Sequence, residues 1–504
     1  LAAVVSQGFG TVLRNKMFHH INKLSHTEID KFGTPSLVTR LTNDVNQLQT
    51  GVAMLIRIAV RAPFLGVGAL VMAMVIDIKL SVIFLIVLPI IIGILYFVMS
   101  KSIPLYRLIQ RKLDRVSLVT RENLEGVRVI RSLGKEEAEI ERFEEASEDL
   151  AKTSIVVGKL STILNPLTFS VINLAIVAIL WFGGKRVYTG SLTQGEIIAF
   201  ANYMTQLSLA LFVIADLVVI FTRSAASATR VIEVLDTSTS IVEANSDQIH
   251  VNSDNSIPRI EFRSVSFAYP GTKENSIEDV SIKIYKGETI GIIGGTGSGK
   301  TTLMNLIPRF YDVTAGELYV DGHQVEEYSL KQLRKQIGMV PQKAVLFSGT
   351  IKENMKWRDN QATIEEIKEA LEIAQASDFV SKLPLGLDTK VNQGGQNFSG
   401  GQRQRLTIAR ALVGKPEILI LDDSSSALDY MTDAALRRAI KENTTDMTVL
   451  IVSQRSNSIK NADKIIVLDD GKVVGIGTHD ELLDNCQVYK EICLSQYSSE
   501  EVKR

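Results

Sequence analysis

Apolar residues are gathered toward the N-terminal end of this chain. Stretches 80–100, 161–184 and 197–215 carry no charge, and each is long enough to cross a hydrocarbon core, which takes about 20 residues of helix. Stretch 62–76 is shorter, but it becomes a fourth span if Arg57, Arg61 and Asp77 lie at or near its ends, where long side chains reach the interface. Four spans are therefore expected near 57–77, 80–100, 160–184 and 196–222. Between the second and third, apolar residues keep recurring at three and four spacing (Leu105, Leu108, Ile109, Leu113, Val116, Val119), interrupted mainly at Gly126 and Gly134. The membrane helices are thus expected to continue well into the aqueous phase.

Charge sets the orientation. Residues 101–159 hold twelve Lys or Arg, whereas the two short connections carry only Lys79, Lys185 and Arg186. By the positive-inside rule the long basic connection is cytoplasmic, and counting spans forward puts the C-terminal part there too. Leu1 opens an apolar stretch that ends at Arg14 and Lys16, a pattern expected of a helix leaving the membrane with an N-terminal portion ahead of it.

Residues 237–257 turn polar and rich in Ser, Asn and Asp, the composition of a linker. Beyond them β-rich runs at 289–293, 418–421, 449–452 and 464–468 alternate with amphipathic helical segments, which argues for a mostly parallel sheet covered by helices. The expected architecture is multi-domain: an all-α polytopic transmembrane domain over 1–236, a linker over 237–257, and an α/β P-loop domain over 258–498. Net charge is −1 with bases and acids interspersed, so no nucleic-acid partner is expected. Cys486 and Cys493 read as reduced thiols, spaced too far apart on a helix to bridge.

Candidate chemistry starts directly after the run at 289–293. Gly294, Gly295, Thr296, Gly297, Ser298, Gly299, Lys300 and Thr301, continuing into Thr302, match a phosphate-binding loop. Its glycines let backbone N–H groups close around phosphates, Lys300 reaches the β and γ oxygens, and the Thr301 hydroxyl ligates Mg²⁺. Some 120 residues later an apolar strand ends in Asp422 and Asp423. A carboxylate there suits a hard cation that keeps several waters, which assigns Asp422 to Mg²⁺. Between these motifs lie Phe398, Ser399, Gly400, Gly401 and Gln402. Together with the membrane half, the three motifs resemble those of ABC exporters of the multidrug type, and the resemblance covers essentially the whole chain.

That resemblance implies a half-transporter binding ATP and Mg²⁺, in which Ser399, Gly400 and Gly401 clamp a nucleotide held by a second cassette. It implies a dimer in the plasma (cell inner) membrane, in contact with lipid, with its cassettes in the cytoplasm, exporting small hydrophobic or amphipathic compounds. Tyr269 resembles the aromatic that stacks on adenine. Gln342 resembles the glutamine that touches Mg²⁺ and the attacking water, and Asp429 closes a loop like the one that crosses the dimer interface. Segments 26–32 and 121–133 look like the helices that couple cassette to membrane.

Two departures from the family pattern matter most. Asp423 stands where a Glu polarises the attacking water, and Gln454 stands where a His contacts the γ-phosphate. Asn392 and Gln393 also replace an acid ahead of the signature. With the signature intact, this resembles one subunit of a heterodimer whose own ATP site is degenerate. The alternatives are a slow homodimeric lipid or peptide exporter and a cassette-gated channel or regulator. Asp216, the one charge within the last span, is a candidate for binding a cationic substrate or for pairing with another helix.

Overall fold

The computed structural model describes residues 1–243, 256–272, 274–443 and 446–496, so most of the expected linker, 244–255, lies outside the described residues. The chain forms two units: Leu1–Phe18 with Val38–Val234, and His19–Leu37 with Leu235–Arg504.

The first unit contains no strand among the described residues. In chain order the N-terminal helices are α1 (Ala2–Ile21), α2 (His26–Phe32), α3 (Thr34–Ile76), α4 (Ile78–Glu125), α5 (Val127–Ser132), α6 (Glu136–Tyr188) and α7 (Gln194–Asp236). Helices α3, α4, α6 and α7 are each long and apolar enough to span a membrane, and only 22 to 28% of their most apolar windows is buried within the protein. Large apolar side chains such as Phe64 and Leu174 point outward, which only a hydrocarbon surround satisfies.

The expected continuation of helix beyond the membrane holds. Helix α4 runs 48 residues and ends at Gly126, and α5 ends just before Gly134. Pro89 and Pro104 stay inside α4 without ending it, whereas in α6 Ile163 divides Glu136–Thr162 from Leu164–Tyr188, and Pro166 sits in the first turn of that second segment, where a missing N–H leaves little unsatisfied. Asp77 caps α4 by accepting from the Leu80 N–H at 2.9 Å, and Arg186 from the end of α6 pairs with the same carboxylate. Helices α3 and α7 pack antiparallel through small residues, Gly51 against Ser224 and Gly66 against Ala210. Helix α3 carries two π-helical turns, Arg40–Asp44 and Leu55–Ala59.

The second unit is built on strands β1 (Ile260–Phe267), β2 (Ile277–Ile284), β3 (Thr289–Gly294), β4 (Ala315–Val320), β5 (His323–Gln324), β6 (Ile337–Val340), β7 (Gly349–Thr350), β8 (Lys390–Val391), β9 (Ile418–Asp422), β10 (Thr448–Val452), β11 (Lys464–Asp469) and β12 (Lys472–Gly477). Six form one sheet in the order β12-β11-β3-β10-β9-β6, parallel throughout except for the edge strand β12. All four runs expected as strands lie in it. A separate antiparallel sheet, β2-β1-β4-β5, had no counterpart in the sequence reading. The parallel strands are apolar on both faces: Ile292, Ile420 and Leu450 join one core, and Leu419, Leu421 and Val449 the other. Both cysteines are buried and unbridged.

Candidate ATP site

Because β3, β6, β9 and β10 are parallel, their C-terminal ends share one edge of the sheet, where α/β folds bind ligands. The phosphate loop follows β3, Gln342 follows β6, Asp422 and Asp423 close β9, and Gln454 follows β10. Topology thus assembles residues that are spread over 160 positions of sequence.

The loop leads from β3 into α8 (Lys300–Leu306), and its glycines are sterically required. A Cβ on Gly294 would stand 2.1 Å from the Leu468 carbonyl oxygen, and Gly299 has φ +92° with only 2.5 Å between such a Cβ and the Ser276 carbonyl oxygen. Lys300 Nζ donates to the carbonyls of Gly294 (2.9 Å) and Gly295 (2.6 Å) and to Ser298 Oγ (3.2 Å), so its charge is held over the loop that receives phosphates. Burial lowers the Lys300 pKa, while Asp423 and Asp422 oppose that shift.

Thr301 Oγ1 donates to Asp422 Oδ1 at 3.1 Å, joining the loop to the end of β9. Burial raises the Asp422 pKa, and the neighbouring Asp423 adds to the rise. The hydroxyl, the carboxylate and the amide oxygen of Gln342 are hard oxygen donors of the kind Mg²⁺ takes. No group of three or more His, Cys, Asp or Glu able to hold a metal occurs among the described residues. The set therefore fits an ion that arrives with phosphates, not one caged by protein, and such an ion would neutralise phosphate charge.

Asp423 lies one residue beyond β9 at φ +44°, its N–H bonded to the Val452 carbonyl at 3.0 Å. Gln342 Nε2 reaches Asp423 Oδ2 at 3.4 Å. Burial pushes the Asp423 carboxyl up, with Gln342 and Lys300 acting against it. Gln454 is exposed, and its main-chain carbonyl accepts from Gln496 Nε2 at 2.7 Å. Tyr269 Oη lies 3.1 Å from Thr302 Oγ1, and its ring packs edge-on against Phe267 and Tyr311 at 4.9 and 5.3 Å.

The signature residues do not join this group. Ser399 caps α9 (Gly400–Leu412) in a reciprocal pair with Gln402: Ser399 N–H donates to Gln402 Oε1 at 3.0 Å, and Gln402 N–H to Ser399 Oγ at 3.3 Å. Ser399 and Gly400 are exposed at the positive end of that helix. Asp429 accepts from Thr432 N–H (2.9 Å) and Oγ1 (2.8 Å) at the start of α10 (Tyr430–Asn443), which lowers its pKa.

Sequence reasoning missed what holds α2. This short helix belongs to the second unit although its sequence lies between two membrane-unit helices. Tyr311 Oη donates to Asp30 Oδ2 at 2.5 Å, and the His26 ring lies 4.6 Å from Phe310. No spacing or motif distinguished Phe310 and Tyr311 from packing aromatics. Tyr311→Phe is expected to cost about 1 kcal/mol, since one hydrogen bond to an exposed carboxylate is lost, read as a lower unfolding midpoint of the cassette. Burial also lowers the His26 pKa, with Asp30 opposing and Arg334 adding to that shift. A histidine whose folded pKa is depressed contributes fully above the unfolded value of 6.5 and progressively less as pH falls below it. Unfolding followed by circular dichroism should show this acid-side loss, and His26→Gln should remove it.

Comparison with known proteins places the chain. The ABC transporter transmembrane region matches residues 1–211, the ABC transporter domain residues 277–426, and a P-loop domain residues 358–501. The ABC transporter ATP-binding protein YfiB of Bacillus subtilis is 41% identical over 99% of this chain and 86% of its own length. The putative multidrug export ATP-binding/permease protein YgaD of the same organism is 35% identical over 95% of this chain and 82% of its own. A bacterial Atm1-family ABC exporter solved with ATP bound shares the fold, with a TM-score of 0.81 and 24% identity over 98% of this chain and 87% of that one. The chain belongs to the ABC transporter family, as an exporter half that joins a transmembrane domain to one cassette. It is a multi-pass membrane protein with a cytoplasmic cassette, and its ATP hydrolysis drives export across the membrane.

Proposed function

We propose that this chain is the degenerate-site subunit of a heterodimeric exporter of hydrophobic or amphipathic compounds in the plasma membrane. The observation that carries the reading is an asymmetry. Both positions that would activate water and sense the γ-phosphate are altered, to Asp423 and Gln454, while Ser399, Gly400 and Gly401 are unchanged.

Lys300, the loop N–H groups and Tyr269 hold one ATP, with Thr301, Asp422 and Gln342 supplying the Mg²⁺ ligands. Asp423 is one methylene shorter than Glu, which withdraws its oxygens by roughly 1 to 1.5 Å, and a misplacement of about 1 Å costs on the order of a hundredfold. ATP at this site is therefore retained and turned over slowly. Exposed Ser399 and half-buried Gly401 complete the partner's faster site. Closure of the two cassettes is transmitted through α2, which Asp30 and Tyr311 fasten to this cassette. The name of the relative YgaD is in keeping with a multidrug substrate range.

Phosphate release by the purified chain, alone and with its partner, tests the reading. Slow turnover alone and fast turnover together is expected. Fast turnover alone favours the homodimeric exporter instead.

A further inference from the structure

Tyr269, just beyond β1, is held from several sides. Its hydroxyl lies 3.1 Å from that of buried Thr302 in α8, and the Phe267 and Tyr311 rings stand across it at 82° and 84°, with centroids 4.9 and 5.3 Å away. Phe267 and Tyr311 are themselves buried and lie 5.4 Å apart, so the three rings form one packed cluster. Tyr269 is half-buried, which leaves part of its ring open to a flat base.

Tyr311 also faces α2. His26 and Asp30 are four residues apart, hence neighbours on one side of that helix, and both meet Tyr311: the His26 ring at 5.9 Å, the Asp30 carboxylate through the Tyr311 hydroxyl at 2.5 Å. Burial raises the Tyr311 pKa and Asp30 adds to the rise, so the hydroxyl remains a donor to that carboxylate. One side chain therefore has two separable contacts. Its ring touches Tyr269, and its hydroxyl touches α2. The first turn of α2 is fastened independently, since the Ser240 N–H donates to Glu28 Oε1 at 3.2 Å. Losing the Asp30 bond thus cuts α2 from the aromatic cluster without releasing its N-terminal end.

Resting on the reading that Tyr269 stacks on adenine, we propose that Tyr311 is a positioning residue of the ATP site: its ring fixes Tyr269 for the base, and its hydroxyl couples occupancy by the base to α2 through Asp30. A base lying on Tyr269 restrains that ring, and the restraint narrows the motion of Tyr311 against it. The Asp30 bond then breaks less often, so a nucleotide acts on α2 through its adenine.

The test uses the full chain in phosphatidylcholine nanodiscs. It is titrated with ADP and with inorganic pyrophosphate, which fills the phosphate loop without a base, and hydrogen exchange of the α2 amides is followed with each bound. ADP lacks the γ-phosphate, so closure of cassettes on ATP does not enter the readout. In the unaltered chain ADP should slow α2 exchange about fivefold, and pyrophosphate should leave it unchanged. Tyr311→Leu removes the ring and should weaken ADP about fivefold while sparing pyrophosphate. Tyr311→Phe restores the ring but not the hydroxyl. It should bind ADP within about twofold of the unaltered chain, yet lose more than half of the slowing at α2.

Equal weakening of ADP and pyrophosphate in Tyr311→Leu would reduce Tyr311 to a structural residue, and unchanged ADP binding there would remove its role at the base. Should the Leu variant fail to fold, Tyr311→Phe decides: slowing by ADP that persists above half its original size overturns the coupling. Tyr269→Leu separates the proposal from the reading beneath it. ADP binding unchanged in that variant would overturn adenine stacking itself, whereas ADP weakened there but indifferent to Tyr311 would overturn only the positioning role.

Discussion

Asp423→Glu combined with Gln454→His should raise ATP turnover at the Lys300 site by about one to two orders of magnitude, measured as phosphate release under single-site conditions. The expectation follows from reach. Asp423 is fixed at φ +44° by its N–H bond to Val452, so the backbone does not advance the short carboxylate. Its Oδ2 already meets Gln342 at 3.4 Å, and a longer side chain extends past that amide toward the phosphates. Gln454 follows β10, which pairs directly with β9, so a histidine there enters the same edge. Little change on substitution, together with fast turnover of the unaltered chain, would remove the degenerate site from the account.

In the assembled transporter, Gly401→Asp should cut total turnover by about 10² to 10³, whereas Lys300→Ala should cut it by less than about tenfold. The prediction follows from the proposal that the two residues serve different nucleotides. Gly401 stands half-buried in the first turn of α9 beside Ala427, and on the proposed reading a carboxylate there repels the phosphates of the partner's ATP. On the proposed reading Lys300 holds the slow nucleotide, which contributes little to flux. Equal losses in both variants would mean two equivalent sites, as in a homodimer.

Individual elements show where sequence reading reached and where it stopped. The apolar runs within α3, α4, α6 and α7 were legible because a bilayer demands long uncharged helices whatever their neighbours. The loop at Gly294–Lys300 was legible because phosphate binding needs close backbone approach, which only glycine permits at φ +92° or within 2.1 Å of another carbonyl oxygen. Strands β3, β9, β10 and β11 were legible as apolar β-branched runs. The antiparallel sheet was not, because β1 and β2 mix exposed polar with buried apolar positions and are broken by register shifts.

The sequence alone therefore determined the spans, the cytoplasmic side of the cassette and the place of each motif, since these depend on local composition and on spacings within a few residues. Only the tertiary structure decided that α2 belongs with the cassette, through Tyr311 and Asp30 some 280 positions apart, and that Gly51 and Gly66 of α3 pack on Ser224 and Ala210 of α7. Both are contacts or registers between distant segments. They are set by small-residue packing and by single hydrogen bonds that leave no periodic trace in the chain.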